Sequence, residues 1–198
     1  MRKIIVISMI SLDGVLQAPG GPDEDPSGGF EYGGWSAGYD DDEFSEKFAP
    51  LMAPSDLLLG RKTFDIFAGY WPQRADNWPG INEVTKNVVS RTQREADWAN
   101  TNFLAGVDDI RALKDSDGRD LTVWGSGDLI QTLFENDLVD ELQLVTYPVT
   151  LGSGKKLFDR GTIPAAFTVS GGAVTSSGVV FARYTRAGDI VTGTVGEE

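Results

Sequence analysis

Two short glycine turns mark the stretch from Leu121 to Phe158: Gly125-Ser126-Gly127 and Leu151-Gly152-Ser153-Gly154. The first follows an apolar run of strand character, Leu121–Trp124, and opens an amphipathic helical stretch. The second closes another strand-like run, Glu141–Val149. In open α/β sheets, ligands bind beyond the carboxyl ends of the strands, and both turns fall there. A helix amino end just past such a turn offers unpaired N–H groups to an anion, typically a phosphate. Gly60-Arg61-Lys62-Thr63 repeats the pattern after Leu57-Leu58-Leu59. Its threonine hydroxyl can bond a phosphate, and its arginine fork can clamp one with two donors. Ser90-Arg91-Thr92 ends a further short strand that begins at Asn87. Several strand ends carrying Gly, Ser/Thr and Arg suit a ligand with more than one phosphate.

Neither glycine turn completes a familiar signature. Gly125-Ser126-Gly127 starts a G-x-G-x-x-G pattern, but Ile130 stands at the third glycine position. Gly152-Ser153-Gly154-Lys155 shares part of a P-loop, yet Val149 replaces its first glycine and Lys156 its Ser/Thr. Each turn taken alone is also compatible with a plain strand exit. Asp13, with Gly14 at the end of the first strand, is a candidate to touch substrate and move a proton. The Asp40–Glu43 cluster is a second source of carboxylates, although Asp40–Asp42 also read as helix caps. Phe44 and Phe48 can line a cleft or fill a core. Trp124 can stack near a ligand or simply pack at its strand end.

Composition narrows the chemistry. The chain of 198 residues has no cysteine and no histidine. Disulfides, thiolate nucleophiles, Cys-ligated zinc and a Ser-His-Asp triad are therefore excluded. Proton transfer falls to carboxylate, tyrosine, lysine or water. A net charge of −13 opposes nucleic acid and anionic membranes, so neither is expected as a partner. An anionic ligand then needs a local basic patch, which Arg61-Lys62 and Lys155-Lys156 can supply beside their glycines. No apolar run approaches the ~18 residues of a membrane span. Met1-Arg2-Lys3 leads straight into a short apolar run without a cleavage site, and a cytoplasmic location is expected.

The elements that must hold these residues are legible in outline. Ile4–Ile10 is a continuous apolar run, typical of a strand covered on both faces. Residues 18–38 are rich in Gly, Pro, Asp and aromatics and read as a binding loop or lid. Phe44, Phe48, Leu51 and Met52 share one helical face, limited by Pro50 and Pro54. Strands at 57–59, 87–92 and 101–104 and helices after Gly60 and at 108–115 lead into the opening unit. Phe167–Thr175 and Val179–Thr185 read as a terminal hairpin through Ser176-Ser177-Gly178. A single α/β domain over 1–186 is expected, with 187–198 a frayed tail.

Five segments occur in a telling order: Ile4–Gly14, Leu57–Thr63, Asn87–Thr92, Val123–Gly127 and Pro148–Gly154. As a set they resemble the dihydrofolate reductase-like superfamily over about residues 3–185, nearest the branch of the reductase domain of bacterial riboflavin biosynthesis. The resemblance implies a three-layer α/β fold: a mixed, mostly parallel sheet with helices on both faces and a C-terminal β-hairpin. It implies NADPH as cofactor. Arg61 and Ser90-Arg91-Thr92 would then face the 2′-phosphate, with Gly60 and Lys62 also among the cofactor-binding residues. Thr63 and Gly125-Ser126-Gly127-Asp128 would face the pyrophosphate, with Trp124 near the nicotinamide. Asp13, Gly14, Phe44, Phe48 and Leu151-Gly152-Ser153-Gly154 would border the substrate, with Lys155 suited to a substrate phosphate. Asp128 departs from this pattern by placing a negative charge beside the pyrophosphate turn, and no single helix carboxylate matches the pterin grip of dihydrofolate reductases.

The leading expectation is an NADPH-dependent reductase of a small heterocycle, of pteridine or ribosylamino-pyrimidine type. A nucleotide-binding module of the same fold without redox turnover is the alternative, and a structural or interaction protein a third reading. The β-rich tail allows a homodimer.

Overall fold

The computed structural model describes residues 1–159 and 162–196. Its first strand, β1 (Ile4–Ser11), is buried along almost its whole length. An unbroken apolar run of this kind needs cover on both faces, and the sheet order provides it. The other elements follow in chain order as α1 (Asp42–Phe48), β2 (Asp56–Gly60), α2 (Arg61–Tyr70), β3 (Lys86–Val89), β4 (Thr101–Leu104), α3 (Val107–Asp115), β5 (Leu121–Trp124), α4 (Gly127–Glu135), β6 (Glu141–Tyr147), β7 (Ala166–Val174) and β8 (Val180–Gly188).

Eight strands form one sheet in the order β4-β3-β2-β5-β1-β6-β8-β7. The pairs from β4 across to β6 are parallel, and β8 pairs antiparallel with both β6 and β7. Alternation along the strands sends side chains to two cores. On one face, α3 and α4 bury Ile110, Ile130 and Leu133 against Ile4, Val6 and Val123. On the other, α2 and the segment after it bury Phe64, Trp78 and Ile81 against Ile7, Leu59 and Val88. Phe44 of α1 extends that second layer over Val145 and Tyr147. The result is the expected three layers.

The elements fall close to their expected places. Asp41 caps α1 by accepting the Phe44 N–H at 2.7 Å, and Pro50 then turns the chain into a short 3-10 segment, Ala49–Met52. Two ends differ. β6 stops at Tyr147 rather than Val149, because Pro148 has no N–H to extend the ladder. β8 continues to Gly188, past the expected end of order at Arg186, because β7 pairs with it that far. Residues 197 and 198 of the expected tail lie outside the described residues. No helix among the described residues is long and apolar enough to cross a membrane.

Candidate functional site

The carboxyl ends of β2, β3 and β5 lie side by side in the sheet, so their turns form one wall of a single cleft of about 1400 Å³. Gly60 precedes α2 and Ser126 precedes α4, and neither helix is capped by a side chain. Their amino ends therefore lie on the same edge of the sheet. Ser126 spends its hydroxyl on the neighbouring turn instead: its Oγ accepts the Gly60 N–H at 3.0 Å. Thr63 returns the contact, its Oγ1 accepting the Ser126 N–H at 2.9 Å. The two turns brace each other. Their approach requires glycine at 125, where φ is +52° and an added Cβ would lie 3.2 Å from Thr63 Cγ2.

Arg61 is aimed from this brace toward the next strand end. Its guanidinium donates to Gln93 Oε1 and pairs with Asp65 at 3.0 Å, and Ser90 Oγ accepts the Gln93 N–H at 3.0 Å. Gln93 thus ties Arg61 to the Ser90-Arg91-Thr92 turn, a role that sequence inspection missed. All of the residues expected at the cofactor, Gly60–Thr63, Ser90–Thr92 and Trp124–Asp128, line this cleft. Arg61, Lys62 and Arg91 give this wall its positive charge, with Asp128 on the same wall.

Toward β1 and β6 the cleft becomes aromatic. Phe44 stacks on Phe48 with ring centroids 5.2 Å apart, Phe48 meets Trp124 edge-on at 6.0 Å, and Phe44 lies 5.9 Å from Tyr147. Three buried side-chain polar atoms among the described residues find no hydrogen-bond partner: Trp124 Nε1, Gln131 Oε1 and Tyr147 Oη. All three residues line this one cleft. Buried polar groups in folded proteins are satisfied almost without exception, so three orphans around one cleft are unusual, although each atom is itself closed off and none presents its polar group to the open space. Burial holds the Tyr147 phenol protonated, well above the ordinary tyrosine range, and the Asp40 charge adds to the effect against the opposing Ser36 hydroxyl. Ser36 Oγ bonds the Pro19 carbonyl at 2.7 Å and completes no bond with the phenol.

The 18–38 segment forms a strap over the carboxyl end of β1. Gln17 holds it with both ends of its amide: Nε2 donates to the Asp25 and Ser27 carbonyls at 2.9 Å each, and Oε1 accepts the Lys155 N–H at 3.0 Å. Trp35 Nε1 donates to the Gln17 carbonyl at 2.8 Å. The strap brings Glu24 to the cleft, a carboxyl without a helical period or motif to announce it. Burial raises the Glu24 pKa above the usual glutamate range, against the pull of the Gly20 and Gly21 N–H donors. Tyr147 was equally missed, although its position offered a signal. It ends a parallel strand just before a turn, as Trp124 does.

The second glycine turn behaves differently from expectation. Asp13, Gly14 and Leu151–Gly154 are not among the residues lining the cleft. The Leu151 and Gly152 N–H groups donate to the two Asp13 carboxylate oxygens at 3.0 and 2.9 Å, and Ser11 Oγ donates to the same group at 2.6 Å. The turn is an anion-binding nest already filled by the chain's own carboxylate. Those bonds, led by the Ser11 hydroxyl, hold the Asp13 pKa at about 2, so this carboxylate keeps no proton to give at neutral pH. Lys155 does border the cleft, but its Nζ is paired with the Asp25 carboxylate and donates to Ser27 Oγ. Phe44 and Phe48 line the cleft as expected and also belong to the core behind it.

Known proteins match this architecture. The profile of the RibD C-terminal domain fits residues 2–181. The uncharacterised protein YyaP of Bacillus subtilis is 32% identical over 171 residues, covering 79% of this chain and 80% of its own length. Among solved structures, a putative riboflavin biosynthesis protein from Shewanella sp. PV-4 superposes with a TM-score of 0.66 at 24% identity, over 93% of this chain and 99% of that one. The dihydrofolate reductase of Enterococcus faecalis, solved with NADP(H), superposes with a TM-score of 0.62 at 15% identity, over 93% and 96% of the two chains. A pyrimidine reductase-like protein of Corynebacterium diphtheriae gives 0.59 at 13% identity, over 95% and 93%. The fold is thus of the dihydrofolate reductase-like type.

Proposed function

The chain belongs to the RibD C-terminal domain family, and from that premise we propose that it is an NADPH-dependent reductase of a small, flat heterocycle, of pteridine or pyrimidine type. The observation that carries this reading is the braced basic wall, where the β2, β3 and β5 turns meet with two uncapped helix ends and Arg61 aimed between them. That donor set fits a dinucleotide bearing an extra phosphate. Arg61 and Ser90-Arg91-Thr92 would hold the 2′-phosphate, since a guanidinium fork and hydroxyls match its oxygens. Thr63 and the amino ends of α2 and α4 would hold the pyrophosphate. When bound, NADPH supplies the hydride.

The rest of the chemistry belongs to the chain. Trp124, Phe44 and Phe48 would flank the reacting rings and exclude water, which strengthens every polar contact inside. With Asp13 committed to its nest, this reading assigns proton transfer to Glu24, a carboxyl on the cleft wall whose pKa burial moves upward.

Arg61→Ala tests the cofactor assignment. NADPH affinity, read by energy transfer from tryptophan to the nicotinamide, should fall about tenfold while NADH affinity changes little, because only NADPH carries the 2′-phosphate. Equal losses would overturn the assignment. NADPH oxidation against a panel of pterins, pyrimidines and quinones tests turnover. Tight NADPH binding with no oxidation by any compound would leave a nucleotide-binding module in its place.

A further inference from the structure

A phosphate-bearing tail is held by a cation and free N–H donors. This chain has both residue types at the β1/β6 end of the cleft, and both are already used. The Leu151 and Gly152 N–H groups are filled by Asp13. Lys155 Nζ is held by the Asp25 carboxylate and Ser27 Oγ, and Lys156 Nζ lies 3.9 Å from the Asp13 carboxylate. What remains pointing into the cleft at this end is of the opposite character. Asp40 borders it beside Tyr147, whose proton its charge helps to retain. Trp124 and Tyr147, 8% and 1% exposed, close the aromatic wall with their polar atoms buried.

Resting on the reductase reading above, we propose that the substrate end of this cleft takes a neutral or cationic amino-oxo heterocycle that carries no phosphate or other anionic tail. Its rings would lie against Phe44, Phe48 and Trp124 on the cleft wall. An amino group would donate to the Asp40 carboxylate. A phosphorylated tail would meet an occupied nest, a lysine already paired with Asp25 and the Asp40 carboxylate. To recruit Lys155 it would have to take that lysine from Asp25, whose other oxygen would keep its bonds from the Ser27 N–H and Oγ. Charge thereby divides along the cleft, cationic where Arg61, Lys62 and Arg91 stand and anionic where the substrate enters.

A matched pair tests this: a ribitylamino-pyrimidinedione and its 5′-phosphate, with binding read by quenching of tryptophan fluorescence. The pair is measured with and without saturating NADPH. The unphosphorylated member should bind about tenfold more tightly than its phosphate, and raising salt should narrow the gap through screening. Asp25→Asn frees Lys155 and should narrow the gap to about threefold or less by improving the phosphate. Phosphate binding equal to or tighter than its partner in the unaltered chain overturns the proposal, as does binding of neither member. If Asp25→Asn fails to fold, the salt series on the unaltered chain decides. A chain that binds no NADPH defeats the reductase reading instead, and the pair measured without cofactor still reports the charge preference separately.

Discussion

The two glycine turns of the β5–α4–β6 unit look alike in sequence and do opposite things. Gly125-Ser126-Gly127 leads into a helix whose amino end stays open, and its one polar side chain braces the turn beside it. Leu151–Gly154 leads into no helix. Its N–H groups go to Asp13, and Gly154 packs so closely on the strap that an added Cβ would lie 2.8 Å from Phe30 and from Val15. One turn faces a cleft at a helix end that no side chain caps; the other is satisfied internally and fastens a strap. Glycine at a strand end therefore signals backbone freedom, and the partners of its N–H groups decide whether that freedom serves a ligand.

The largest contrast should come from the glycines themselves. Gly125→Ala places a Cβ on Thr63 in left-handed backbone, at a cost of about 1–2 kcal/mol from conformation alone, with crowding added. It should also cut NADPH affinity about tenfold or more by spreading the braced turns. Gly152→Ala meets no atom within 4 Å at φ +74°, so it should cost only the conformational 1–2 kcal/mol or so and leave NADPH binding unchanged. Thermal melts and cofactor titrations on both variants check this. Similar cofactor losses in the two would erase the distinction between the turns.

A smaller effect should follow from unlocking the first turn. Ser126→Ala leaves the Gly60 N–H without its acceptor, which costs about 1–2 kcal/mol where water cannot replace it. For a chain of this size that is a fall of roughly 2–8 °C in melting temperature. Thr63→Val removes the other half of the brace with little change of shape. Because the two bonds join the same turns, the double variant should lose less than the sum of the singles. Strict additivity would mean that the bonds act independently and that no brace exists.

The sheet was legible because its parallel strands are short apolar runs that end in small or hydroxyl residues, as Leu57-Leu58-Leu59-Gly60 does. The basic wall was legible for the same reason: adjacent parallel strands bring their ends together, so Arg61, Ser90 and Gly125 could be grouped from chain order. The substrate end was not. Glu24 reaches the cleft on a strap that Gln17, sitting in a segment without periodicity, ties at the Asp25 and Ser27 carbonyls while its other end holds the Lys155 N–H. Asp13 has the composition of a catalytic carboxylate, and its commitment depends on a loop 138 residues away in the chain. Long-range hydrogen bonds of this kind leave no local pattern to read. Tyr147 is the intermediate case, since a strand-end aromatic before Pro148 follows the same rule that singled out Trp124.

The smallest effect should come from the carboxylate in the second turn. Asp13 is titrated down to about 2 from an ordinary value of 3.8, first by the Ser11 hydroxyl and then by the Leu151 N–H, with burial opposing weakly. A carboxylate whose pKa is lower in the folded state stabilises the fold fully above the unfolded value, and that contribution is lost as pH falls through about 2. Asp13→Asn should therefore lower stability at neutral pH, and the deficit should shrink as pH drops from about 4 toward 2. The deficit stays small because the side chain is partly exposed and screened. NADPH affinity should not change, since Asp13 lies off the cleft wall. A pH-resolved denaturation series and a cofactor titration read the two quantities separately. Weakened NADPH binding in this variant would mean that the filled nest shapes the cofactor end after all, and the division between the turns would fail at its least conspicuous member.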